Sequence, residues 1–188
     1  FSMPMPTQPL GWFKKEINSL EDMRGLKMRM PGLGGEVLRR IGAAAVSLPG
    51  NEIYQSLQSG NIDATEWVGP WNDLAFGFYQ EAPYYYWPGI HEPGAQLAVG
   101  MNLNVWNDLS ASEREIVGAA CDAANNNSLA QFTHFNGLAL KTLVEEKGVQ
   151  LRRMPEDVLT AMAKAAIDVY TEAADGDAET RRIYESFS

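Results

Sequence analysis

The stretch Leu26-Lys27-Met28-Arg29-Met30-Pro31-Gly32-Leu33-Gly34-Gly35-Glu36-Val37 changes character partway along, and that change decides the architecture. Its first five residues alternate apolar and polar, the pattern of a half-buried strand, and Pro31-Gly32 stops it. Arg29 then lies opposite the apolar side chains, near the strand's carboxyl end. A glycine-rich turn follows, then an amphipathic helix carrying Val37, Leu38 and Ile41, and a short apolar strand over residues 44–48. A second helix is predicted over 51–58, with Ile53, Tyr54 and Leu57 on one face, and a short strand over 62–64 delivers Glu66 and Trp67 to its carboxyl end. This β-α-β-α rhythm predicts an α/β fold, in which ligands collect at the carboxyl ends of strands.

Upstream, residues 1–13 are extended and punctuated by Pro4, Pro6 and Pro9, which suits a strand or crossover ending in Gly11-Trp12-Phe13. Residues 19–24 read as a short helical turn opened by Ser19. Downstream, 84–87 and 96–101 read as strands around the turn-rich 88–94. Ser110-x-x-Glu113 is a capping box opening a long helical stretch, with a kink or break at 125–127 before 129–146 resumes. Gly148 ends it, 149–154 reads as a strand, Pro155 opens a helix to about 174, and 178–187 supply a terminal helix. No repeat, low-complexity tract or linker marks a clean division, so two lobes would require the chain to cross between them more than once.

Bulk properties narrow the function. The 188 residues suffice for one domain or most of two small lobes, and the formal charge of −9 without a local Lys/Arg cluster argues against nucleic acid and anionic lipid as partners. No apolar run is long enough to cross a bilayer. Cys121, the only cysteine, sits in a helical pattern and is read as a small buried side chain. The chain begins at Phe1 with no charged segment followed by an apolar one, which is read as a cut within a longer chain.

The glycine-rich turn is a weak match to a dinucleotide-binding loop, because Val37 replaces the third glycine and Glu36 sits where a pyrophosphate would bind. A tight turn requiring positive φ is the favoured reading. His91 and His134 lie in different contexts without a second ligand at metal-binding spacing, so a transition-metal site is not expected. Motifs for nucleophilic or zinc-dependent catalysis are missing. What remains is Gln8, Arg29 and Glu66 among aromatic residues. Singly, each reads as an ordinary loop, strand or helix-start residue. Together they form a plausible small-anion site, since Arg pairs both oxygens of a carboxylate while Glu and Gln offer hard oxygens to a cation.

Three segments carry a family resemblance: residues 11–17 (GWFKKEI), 26–37 (LKMRMPGLGGEV) and 54–70 (YQSLQSGNIDATEWVGP). They closely resemble the solute-binding subunits of TRAP transporters, in the branch that binds 2-oxo acids such as pyruvate, or monocarboxylates such as lactate. Residues 84–94 (YYYWPGIHEPG) fit the same branch. The resemblance implies a periplasmic-binding-protein-like two-lobe α/β fold with mixed sheets and long carboxyl-terminal helices, its first lobe incomplete here. Residues 1–83 would be mostly second lobe, and 84–188 crossover strands and long helices shared between lobes.

By the same resemblance, Arg29 binds the substrate carboxylate. Gln8, Glu66 and the Trp67 carbonyl hold Na⁺ or Ca²⁺, Trp67 walls the pocket, and Glu92 is a polar group on the loop facing it. No catalytic role or catalytic cofactor is implied. The protein would be exported to the periplasm and work with TRAP membrane subunits, with a homodimer as a further possibility. The competing readings are a 2-oxo-acid-metabolising enzyme using a nucleotide cofactor at residues 32–35 and a ligand-sensing receptor domain of the same fold.

Overall fold

The computed structural model describes residues 2–6, 8–92 and 94–186. Its strands are β1 (Ser2–Pro6), β2 (Gly11–Phe13), β3 (Lys27–Arg29), β4 (Ala44–Val46), β5 (Ala64–Thr65), β6 (Tyr84–Trp87), β7 (Gly94–Ala98) and β8 (Gln150–Arg153). The helices are α1 (Gly32–Arg40), α2 (Gly50–Ser59), α3 (Pro70–Phe76), α4 (Leu103–Asp108), α5 (Ala111–Glu145), α6 (Glu156–Asp175) and α7 (Ala178–Glu185). A mixed sheet runs in the order β4-β3-β5-β2-β6-β8, and β1 pairs separately with β7.

The central strands of the mixed sheet carry buried side chains on both faces. On one side Phe13, Met28 and Tyr86 pack with Val37 and Leu38 of α1 and Val158, Met162 and Val169 of α6. On the other, Trp12 and Tyr85 pack with Ile53 and Leu57 of α2 and Leu143 near the end of α5. Neighbouring residues such as Trp12 and Phe13 therefore serve opposite cores, as the two-residue period of a strand requires.

Strand directions place the functional groups. β3 and β5 are parallel, while β2 is antiparallel to both β5 and β6. The carboxyl ends of β3, β5 and β6 and the amino end of β2 consequently lie along one edge of the sheet. Gln8, Arg29, Glu66, Trp67 and the loop after β6 all issue there.

Several expectations need correction. β3 is not half-buried: Arg29 is itself buried, because helices cover both faces of the sheet. The glycine-rich segment is the first turn of α1, with Pro31 as its N-cap, and only Gly32 has positive φ. Gly35 is required by close approach, since a Cβ there would stand 2.3 Å from the Met30 carbonyl oxygen. β5 and β7 each begin two residues from their expected starts, and α4 was not foreseen. α5 runs through Asn125–Asn127 unbroken. Each Asn costs up to about 0.7 kcal/mol relative to Ala, too little to break a helix that propagates from both sides. Cys121 is partly exposed, because that half of α5 presents most of its surface outward.

Candidate functional site

Arg29 ends β3 and is 8% exposed. Its Nε donates to the Leu48 carbonyl at 3.2 Å, and its Nη1 donates to both the backbone oxygen and Oε2 of Glu66 at 2.9 Å. Nη2 takes part in none of these bonds, and the guanidinium carbon lies 5.1 Å from the Trp67 ring centroid. The protein therefore fixes the plane of the guanidinium through two of its nitrogens and leaves the third outside these bonds.

Glu66 follows β5 and is 5% exposed. Burial is the main reason its carboxyl titrates at about 7; Arg29 opposes the shift, Glu92 and Asp73 add to it, and the Gln8 hydrogen bond opposes it. One arginine thus only partly offsets the desolvation of this carboxylate, and added positive charge would stabilise it.

Gln8 reaches the same point from the amino end of β2. Its amide nitrogen donates to Glu66 Oε1 and, at 2.9 Å, to the Trp67 carbonyl oxygen. The amide nitrogen thus sits between two oxygens. With the amide turned over, its oxygen would join them as a set of hard donors, so these residues fit a Na⁺ or Ca²⁺ ion. Gly50 makes room for the Trp67 indole, since a Cβ at Gly50 would lie 2.5 Å from the ring.

These groups open onto a cleft of about 500 Å³ lined by Arg29, Glu66, Trp67, His91, Glu92 and Tyr170, with backbone from the start of α1. A larger hollow of about 970 Å³ is lined mainly by apolar groups such as Tyr85, Trp87, Ile90 and Leu140. Gln8 lines this hollow and not the smaller cleft, and no Lys or Arg stands among its described lining residues, so the cleft at Arg29 suits a carboxylate better.

The structure brings together every residue picked out from the sequence: Gln8, Arg29, Glu66, Trp67 and Glu92. It also adds two. His91 lines the cleft, and its burial lowers its pKa to about 4, so it is neutral at physiological pH. One donor atom from each of Glu66, His91 and Glu92 lies within 4.8 Å of the others. These neighbours are carboxylates brought by tertiary proximity and by the adjacent residue, and not the Cys or second His that sequence spacing would have shown. His134, by contrast, is exposed on α5.

The second addition is Asp73, 1% exposed in the first turns of α3. Its Oδ2 accepts from Trp12 Nε1 and the Tyr85 hydroxyl, each at 2.8 Å, and its Oδ1 accepts from the backbone N–H groups of Val68 at 3.2 Å and Gly69 at 3.0 Å. Burial pushes its carboxyl upward against these four bonds. Asp73 ties the loop carrying Glu66 and Trp67 to β2 and β6. The only sequence signal for it was an acidic residue just after Pro70, which reads equally well as a helix-dipole preference.

A fixed guanidinium, a desolvated carboxylate and converging oxygens at strand ends form an arrangement chemically able to receive a small anion. A family model described as bacterial extracellular solute-binding protein, family 7, matches residues 8–177, and the chain belongs to that family. A monocarboxylate 2-oxoacid-binding periplasmic protein of Nostoc sp. is 45% identical over 177 residues, which is 94% of this chain and 48% of that protein. A TRAP periplasmic solute-binding protein of Colwellia psychrerythraea, solved with calcium and pyruvate, superposes with a TM-score of 0.92 at 41% identity, covering 98% of this chain and 57% of that one. Its counterpart from Pseudoalteromonas atlantica, solved with sodium and pyruvate, gives 0.87 at 39% identity, with 98% and 57% covered. The chain thus spans about half the length of these relatives and has the fold of the two solved ones over that part.

Proposed function

We propose that this chain supplies the anchoring part of an extracytoplasmic solute-binding protein that captures a small 2-oxo acid, such as pyruvate, together with a cation for a TRAP transporter. The observation that carries this reading is Arg29, locked by Leu48 and Glu66, with no described residue bonded to Nη2, in a cleft it shares with Glu66 and Trp67. Arg29 would pair with the substrate carboxylate. Gln8, Glu66 and the Trp67 carbonyl would hold Na⁺ or Ca²⁺, which contributes positive charge near the substrate's oxygens. Trp67 and Glu92 would bound the pocket. The ions and pyruvate of the Colwellia and Pseudoalteromonas structures, and the name of the Nostoc relative, support the choice of ligand.

Periplasmic residence and partnership with TRAP membrane subunits belong to the same proposal, as does the division into second-lobe residues 1–83 and shared elements 84–188. Pairing with a second copy is proposed with it, supported by apolar side chains such as Ile116 and Leu138 left exposed on α5. The enzyme alternative is not favoured: Gly35 of its supposed cofactor turn packs on the Met30 backbone, and the family is one of solute-binding proteins. Calorimetry of pyruvate against the full-length protein, with and without Ca²⁺, tests the reading. Saturable binding that strengthens with the cation is expected, and absence of pyruvate binding in both states would refute it.

A further inference from the structure

His91, like the Trp67 indole N–H, is a polar group in the cleft that the proposed carboxylate and hard-cation contacts leave unused. Both ring nitrogens are shielded from solvent and have no hydrogen-bond partner among the described residues. Leaving a buried polar atom unpaired costs about 1–3 kcal/mol, so such atoms in a ligand cleft point to a missing partner. The ring lies beside the first turn of α1, where a Cβ built on Gly34 would come within 3.5 Å of its Cδ2. An imidazole nitrogen without a protein partner is available to ligate a metal.

The groups around it narrow the partner. Donor atoms of Glu66, His91 and Glu92 lie within 4.8 Å of one another, and Glu92 makes no ion pair with a described residue. A metal bound at about 2.0–2.2 Å from nitrogen and oxygen draws its ligands to roughly 3–3.5 Å apart, so shifts of about an ångström would close this set. Two carboxylates near each other also favour a divalent ion. A nitrogen donor separates this set from the all-oxygen group of Gln8, Glu66 and Trp67, and favours first-row transition metals over Na⁺ or Ca²⁺.

We propose that Glu66, His91 and Glu92 form a second, mixed nitrogen–oxygen cation site that takes a divalent transition metal such as Co²⁺ or Zn²⁺. It shares Glu66 with the hard-oxygen set, so the two ions compete for one carboxylate. The proposal rests on the cleft geometry and does not require the bound anion to be pyruvate.

Co²⁺ alone is the probe, titrated into metal-free, tag-free full-length protein and followed by calorimetry and visible absorption, with Zn²⁺ as competitor. The wild type should bind Co²⁺ with a ligand-field band that Zn²⁺ abolishes. His91→Ala should weaken Co²⁺ by at least the roughly 10- to 100-fold that losing even a supporting group costs at metal sites, while Ca²⁺ affinity changes by less than about twofold. Glu92→Gln, which keeps size and polarity, should also weaken Co²⁺. Equal Co²⁺ affinity and spectra in the wild type and His91→Ala would overturn the proposal, as would no Co²⁺ binding by the wild type. Pyruvate with Ca²⁺ is titrated into the same samples, so loss of the carboxylate reading and loss of this one give separate results.

Discussion

Replacing Asp73 tests whether one buried carboxylate holds the binding loop in place. Asp73→Ala strands the Trp12 indole N–H, the Tyr85 hydroxyl and the backbone N–H groups of Val68 and Gly69. At the low end of about 1 kcal/mol per stranded donor the loss is about 4 kcal/mol. The high end does not apply, because water can enter the vacated space and the cost of burying a charge disappears. Asp73→Asn should cost only about 1–2 kcal/mol, since its amide oxygen still accepts from the two backbone groups and its NH₂ can donate to the Tyr85 oxygen, leaving chiefly Trp12 unmatched.

Urea denaturation of the full-length protein, followed by far-ultraviolet circular dichroism, measures both variants. Pyruvate affinity at a urea concentration where each stays folded measures the slackened loop. A loss below about 1 kcal/mol for Asp73→Ala, or equal losses for Ala and Asn, would show that the bonds to Asp73 do not organise the loop.

Four further outcomes are expected. Arg29→Lys should weaken carboxylate binding by about 2–5 kcal/mol, because a point charge cannot keep the bonds to Leu48 and Glu66 and also present a fork; calorimetry showing unchanged affinity would remove Arg29 from the anchoring role. Glu66→Gln should make pyruvate binding nearly insensitive to Ca²⁺ or abolish it, and a full Ca²⁺ response in the variant would rule out Glu66 as an ion ligand. Because Glu66 titrates at about 7 when folded against an ordinary 4.5, the folded protein holds its proton more tightly between those values. Apo stability should therefore fall as pH rises through that window, while Ca²⁺ affinity falls by up to about tenfold per unit as pH drops below 7; thermal shifts with and without Ca²⁺ from pH 5 to 8 would expose the opposite trend. Gly11→Ala should lower the melting temperature markedly, since its Cβ would lie 2.3 Å from the Thr65 carbonyl at a φ of 141°, and a neutral result would mean β2 and β5 pair less tightly than described.

Much of the fold could be read in advance because its signals are local. The capping box at Ser110 forms as expected, Pro155 and Gly148 bound their elements, and β6 has its expected limits. The misreadings have a common cause in burial. Alternation around Arg29 suggested one solvated face, but helices cover both, and the glycines before Val37 serve close packing against Met30 more than a turn. The candidate site was partly legible because Arg29 and Glu66 each follow a recognisable strand. Asp73 and His91 were not, since a helix-start aspartate and a loop histidine look ordinary until their neighbours are known.

The sequence by itself determined most of the elements and their order, and which charged side chains stand at strand ends, because side-chain period, capping and proline or glycine placement act over a few residues. Tertiary structure alone decided that Gln8 meets Glu66 and that Glu66 and His91 share one cleft. Their meeting depends on β2 running antiparallel between β5 and β6. That pairing joins residues far apart in the chain and is selected by two-sided burial of the sheet, which no local pattern encodes.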